Sequence, residues 1–152
     1  MTSTRDSGDL AQETYAALLR AEAGLEEVVG AIPADESAWL RSVQRAVREL
    51  GDALGRHRHL HEGEGGTIPQ AVALKPALVP DTARLKHEHI DMLHRVNEID
   101  RGIDRQFAFQ DFDVELLRRE AAILHAILEL HLLRADALVY EAYFREEGGE
   151  GG

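Results

Sequence analysis

Glycine and proline fall in clusters along this chain, and the clusters leave four long stretches free of both turn signals and strand alternation. The first, 9–32 (DLAQETYAALLRAEAGLEEVVGAI), is rich in the strong helix formers Ala, Leu and Glu and closes at Pro33. The second, 36–62, starts behind an Asp-Glu-Ser cap at 35–37 and stops at the GEGG run 63–66. A connector, 67–80, carries Pro69, Pro76 and Pro80 and has room for one short helical turn. Pro80-Asp81-Thr82 opens the third helix, which runs to about Asp104. Residues 105–112 read as a loop and 113–145 as the fourth helix. The polar residues 1–8 and the Gly/Glu tail 146–152 read as disordered ends flanking one domain, 9–145.

Each segment carries apolar residues at three- and four-residue steps, the period of a helix with one buried face. The second has Leu40, Val43, Val47, Leu50 and Leu54, then His57 and His61. The third has Leu85, His89, Met92, Val96, Ile99 and Ile103. The fourth has Leu117, Ala121, Leu124, Leu128, His131, Ala135, Leu138 and Ala142. In the first, Leu10, Ala17, Ala21, Leu25, Val28 and Ile32 form the stripe, with Tyr15, Leu18, Glu22 and Val29 along one edge. Four long amphipathic helices with short connections predict an all-α, up-down-up-down antiparallel four-helix bundle.

Histidine interrupts three of these stripes. The chain has eight His and no Cys, so disulfides and thiolate chemistry are excluded and any metal site must be imidazole and carboxylate. Phase separates the eight. His57, His61, His89 and His131 face inward, whereas His59, His87 and His94 fall on polar faces and His125 on a flank beside Glu129. One inward His is ordinarily a core residue with a hydrogen-bond partner. Four on the facing stripes of three helices each need a partner in apolar surroundings, which points to a shared metal. Antiparallel packing puts His61 and His89 near one end, and counting residues places His131 and Glu22 in a common layer, with Glu62, Glu64 and Asp136 as nearby carboxylates.

At these residues the chain resembles the hemerythrin-like (HHE cation-binding) domains, four-helix bundles that hold a non-haem di-iron centre with His and carboxylate ligands. HRHLHEGEGG matches the end of the family's second helix at His57, although its Glu position is His61, with Glu62 beside it. LKHEHIDML supplies the Glu88-His89 pair of the third helix, with Leu93 where hemerythrins proper have a further His. HLLRADALVYEAY supplies His131, Asp136 and the aromatic ending of the fourth, with Ala135 at the four-residue carboxylate position. The family's first-helix His has no counterpart, and Glu22 or Tyr15 is the substitute on offer. The resemblance covers residues 40–145 and extends to the first helix by shape alone. It implies a metal set of His57, His61, His89, His131, Asp136, Glu22 and Glu62. The implied cofactor is non-haem iron, two ions expected with one as the alternative, and Mn or Zn are further candidates for such donors.

The expected function is the binding or sensing of dioxygen, nitric oxide or peroxide at an open metal position, with redox activity on such a ligand left open. The alternative is a metal-free helical interaction or regulatory module on the same fold. A formal charge of −11 argues against nucleic acid as partner. No apolar run approaches the ~20 residues of a membrane span, and the N-terminus has no signal-type apolar region, so a cytoplasmic location without membrane contact is expected. A second copy of the chain is a further candidate partner. No nucleotide loop, Ser-His-Asp order or HExxH motif is present.

Overall fold

The computed structural model describes residues 4–145, with side chains from Gly8 onward. Five α-helices follow one another: α1 Thr4–Gly30, α2 Glu36–Glu62, the short α3 Thr67–Leu74, α4 Val79–Phe109 and α5 Val114–Tyr143, with a 3-10 turn at Pro76–Leu78 before α4. No strand occurs among the described residues, and no helix there is long and apolar enough to cross a membrane. The long helices pack α1 on α2, α2 on α4, α4 on α5 and α5 on α1, which closes a four-helix arrangement around one interior.

Local chemistry sets the helix ends. The Asp35 carboxylate accepts from the Ala38 amide at 3.1 Å and caps α2, and Asp113 accepts from Leu116 at 3.0 Å and caps α5. Such caps contribute about 1 kcal/mol each by satisfying a first-turn amide. The GEGG turn needs its glycines. Gly65 has φ +74°, and a Cβ on Gly66 would lie 2.4–2.8 Å from the carbonyl oxygens of Leu60, His61 and Gly63. The chain therefore folds tightly back over the end of α2 as soon as His61 has been placed.

Three segments differ from the sequence expectation. Helix α1 starts at Thr4, inside the stretch read as a disordered end, and stops at Gly30, leaving Ile32 outside it and 92 % exposed. The tail 146–152 lies outside the described residues. The connector holds two full turns of helix, α3, despite Pro69. That proline sits in the first turn, where no amide is required for an intrahelical bond. The expected loop at 105–112 is helical to Phe109. Gln110 ends α4 in the left-handed region at φ 52°, and Phe107 and Phe112 pack edge to face across the turn at 5.6 Å.

The inward stripes of α2, α4 and α5 are buried as their phase requires, except that His61 and Ala142, at the ends of α2 and α5, are half-buried. In α1 the buried line is Thr14, Leu18, Glu22 and Leu25, so the face is centred on the stripe's edge, and Leu10 is exposed. Burial makes two apolar clusters. The larger runs through Leu18, Leu40, Val47, Leu54, Met92, Ile103, Leu124 and Leu128. The smaller, under α3, joins Ile68, Ala71, Leu78, Leu85, Ala135 and Leu138. On α4 and α5 the core histidines fall between residues of the two clusters: His89 lies between Leu85 and Met92, and His131 between Leu128 and Ala135. A polar layer separates the main core from the cap formed by α3.

Candidate metal centre

His57 and His61 are a turn apart on α2, so both imidazoles leave the helix on one side. Their rings stack at 4.0 Å between centroids. His89 of α4 and His131 of α5 enter the same space, 4.6 Å from each other and 5.2 and 5.4 Å from His57, with His61 and His89 6.1 Å apart. His57, His89 and His131 are buried and each offers a ring nitrogen within 4.8 Å of the other two. Nitrogens bound at ~2.0–2.1 Å to a single ion lie up to about 4 Å apart, so small ring rotations suffice to bring this triad onto one cation.

The four rings are held as neutral donors. Burial, reinforced by the neighbouring imidazoles, pushes His57 down to about 2. Burial is also the main cause for His61 and His89, each lowered to about 4, with His131 adding to the shift and Glu62 opposing it. His131 is lowered by burial too, against the raising effect of its bond to Glu88. Near neutral pH a metal ion therefore meets lone pairs without having to displace protons.

One carboxylate supports the rings from outside and a second stands near them. His131 Nδ1 lies 2.9 Å from Glu88 Oε1, and a carboxylate can only accept, so Nδ1 carries the hydrogen and Nε2 presents its lone pair inward. Arg134 holds the other Glu88 oxygen. The inward Nε2 of His131 faces His57 Nε2 at 3.2 Å, a donor–acceptor pair when no ion is between them. Glu62 is held by Arg58 at 2.6 Å, and its other oxygen is 3.8 Å from His89 Nδ1, beyond hydrogen-bond range. Both nitrogens of His89 lack a hydrogen-bond partner although the residue is only 2 % exposed. Leaving a buried polar atom unpaired costs about 1–3 kcal/mol, so this ring is a donor in search of a ligand.

A cavity of about 260 Å³ reaches this layer from outside. Its walls include Thr14 and Tyr15 of α1, His57 and His61 of α2, and Thr67 and Gln70 of α3. Of the two α1 residues on offer in place of a first-helix His, Tyr15 and not Glu22 shares this space with the histidines.

Two of the expected ligands stand elsewhere. Asp136 is on the exposed face of α5, next to the buried Ala135, because a five-residue step from His131 overshoots the inward face. Glu22 is buried, but its partner is His125 of α5, not the histidine layer. It lies about two turns from the end of α1, whereas His57 lies about six turns into α2, so the two cannot share a level once the helices pack start against end. Burial raises the Glu22 carboxyl above its ordinary range, and His125 draws it back. Conversely, Glu88 and His125 have site contacts that phase did not disclose. Glu88 stood in the quoted Glu-His pair, which was the one available signal for it, and His125 had its i,i+4 spacing to Glu129.

Compared with family models, with curated proteins and with solved structures, the chain gives no match. The histidine layer therefore stands on its own geometry: a buried imidazole triad with a fourth ring beside it, able to hold a metal ion.

Proposed function

We propose that this chain is a hemerythrin-like metal-binding protein in which His57, His89 and His131 hold one non-haem iron ion, with His61 beside them. The observation that carries this reading is His89, a buried imidazole with both nitrogens unpartnered at the centre of a cluster of neutral imidazoles. One ion suits the cluster better than two. Glu62 and Glu88, the carboxylates a second ion would need as bridges, are already tied to Arg58 and Arg134. The up-down-up-down order is supported by contacts between the ends of successive helices. The Trp39 indole near the start of α2 donates to Val28 O near the end of α1 at 2.9 Å. Gln44, early in α2, donates to Asp100 and Asp104, late in α4.

Iron in such a site supplies a redox-active Lewis acid that takes a dioxygen, nitric oxide or peroxide ligand. The chain's own contribution is to fix the donors and to admit the ligand. Glu88 holds His131 in the tautomer that points Nε2 inward, and Arg134 keeps Glu88 in place. The cavity beside Tyr15, His57 and His61 gives a small molecule a path to the layer, while α3 covers the end of the bundle. Binding or sensing is favoured over turnover, because no general acid or base stands within the triad other than its own histidines.

The metal-free helical module is the second reading. The chain of bonds from His57 through His131 and Glu88 to Arg134 favours it, since those groups are satisfied without an ion. Elemental analysis of the purified protein and of His89→Ala, with absorption spectra before and after nitric oxide, separates the two. Iron in the parent, and its loss from the variant together with the nitric oxide bands, is the expected result. Full iron content in His89→Ala, or a parent that takes up no metal, overturns the proposal.

A further inference from the structure

A second polar cluster lies between α1 and α5, away from the histidine layer. His125 is its centre. Its Nδ1 lies 2.5 Å from Glu22 Oε1, and its Nε2 lies 3.1 Å from Glu26 Oε1 and 3.2 Å from Glu129 Oε1. Three carboxylates thus crowd one imidazole, and no Lys or Arg among the described residues pairs with any of them. Even a protonated ring has one N–H on Nε2, which cannot serve both Glu26 and Glu129 well. At least two negative charges remain uncompensated in every protonation state in which the three carboxylates are ionised.

Glu22 is the decisive member. It is 8 % exposed, and its Oε1 has no hydrogen-bond partner; nor has the His125 Nδ1 that faces it, because the pair is close but misaligned for a hydrogen bond. A buried carboxylate oxygen left in that condition is expensive. It is also directed at a group that bears a second unpartnered donor atom. Glu22, His125 and Glu129 each place one ligand atom within 4.8 Å of the others, the span a single cation closes. Beside them opens a cavity of about 350 Å³ with largely apolar walls, including Leu25, Val29, Leu50 and Leu128. The low-dielectric wall strengthens the attraction between a cation and the carboxylates.

We propose that Glu22, His125 and Glu129 form a second divalent-cation site, with Glu26 as an additional carboxylate at its outer edge. One nitrogen and two or three oxygens suit a borderline ion of the Zn²⁺, Mn²⁺ or Fe²⁺ class better than the all-oxygen preference of Ca²⁺ or Mg²⁺. The site joins α1 to α5, which Arg118 of α5 also ties at the end of α1 by donating to Val29 O and Ala31 O, so an ion here further pins the helix whose N-terminal half walls the histidine cavity. It needs nothing from the histidine layer.

Zn²⁺ titration of the chelator-treated protein by calorimetry tests it, with circular dichroism as a check on folding. The parent takes up two equivalents. His125→Asn and Glu129→Gln each remove or weaken one of them by roughly tenfold or more, since even outer partners of a ligand cost that much. Glu129 is largely exposed, so its variant folds whatever happens at His125. His89→Ala removes the other equivalent and leaves this one. Unchanged stoichiometry and affinity in both His125→Asn and Glu129→Gln overturns the proposal, as does a parent whose only equivalent vanishes in His89→Ala. A single equivalent lost in His125→Asn and kept in His89→Ala supports this site and rejects the histidine one.

Discussion

Replacing His89 by Leu separates the energetic cost of this ring from its use. Without metal, the parent carries a buried imidazole whose N–H and lone pair are both unsatisfied. Removing them recovers about 1–3 kcal/mol. Leucine is close to imidazole in volume and would face Leu85 and Met92 along its own helix, so repacking costs less than about 1.5 kcal/mol. The net expectation in chelator is a gain of about 1–2 kcal/mol. For a chain of this length that is roughly 2–8 °C in Tm. With metal the order reverses. The parent gains ~2.7 kcal/mol at a free ion concentration 100 times Kd, and the variant, short of a ligand, gains little. Thermal melts at pH 7.5 with and without chelator, followed by the fluorescence of the lone Trp39, read both halves. A variant less stable than the parent in chelator would mean that His89 has a partner. A variant stabilised by metal as strongly as the parent would refute its role as a ligand.

Glu88→Gln should weaken metal binding by roughly 10–100-fold with little loss of helicity, because it removes the charged acceptor that fixes the His131 tautomer; isothermal titration checks it, and unchanged affinity would remove Glu88 from the site. The metal-free protein should lose stability as pH falls from about 6.5 towards 4. His57, His61 and His89 are neutral in the fold well below the pH at which the unfolded chain takes up protons, so the unfolded state binds more protons across that window. Each fully buried ring contributes up to ~1.4 kcal/mol per pH unit, and denaturant midpoints flat between pH 7 and 4.5 would contradict this. Gln44→Leu should cost about 1–2 kcal/mol in urea unfolding, since the amide donates to Asp100 at 2.9 Å and Asp104 at 2.8 Å and otherwise separates two like charges. A neutral result would show that water replaces the amide without loss.

Much of the fold was legible because helical period and turn residues are local properties. The stripes through Leu54, Met92 and Leu128 are buried as phased, and with them His57, His89 and His131. The boundaries that failed did so where local signals competed. Pro69 reads as a breaker but stands in a first turn that tolerates it, and the 105–109 stretch stays helical until Gln110 takes the left-handed cap. Asp136 came from its axial level beside His131 and from family likeness, neither of which fixes direction, and its own phase turns it to solvent.

The sequence by itself determined which residues enter the interior, since side-chain direction repeats every 3.6 residues whatever the neighbours are. It could therefore say that four histidines lie on inward stripes and that Glu22 lies at the edge of one. Which of them meet depends on the axial offset between helices, set by connection lengths and by packing over the whole length of each pair. Only the tertiary structure decided that Glu22 lies level with His125, that Tyr15 instead stands beside His57 and His61, and that Glu88 reaches across from α4 to His131. A helix slid by one turn keeps its buried face and changes every partner on it. For that reason the composition of the interior was readable in advance, and the membership of its two polar clusters was not.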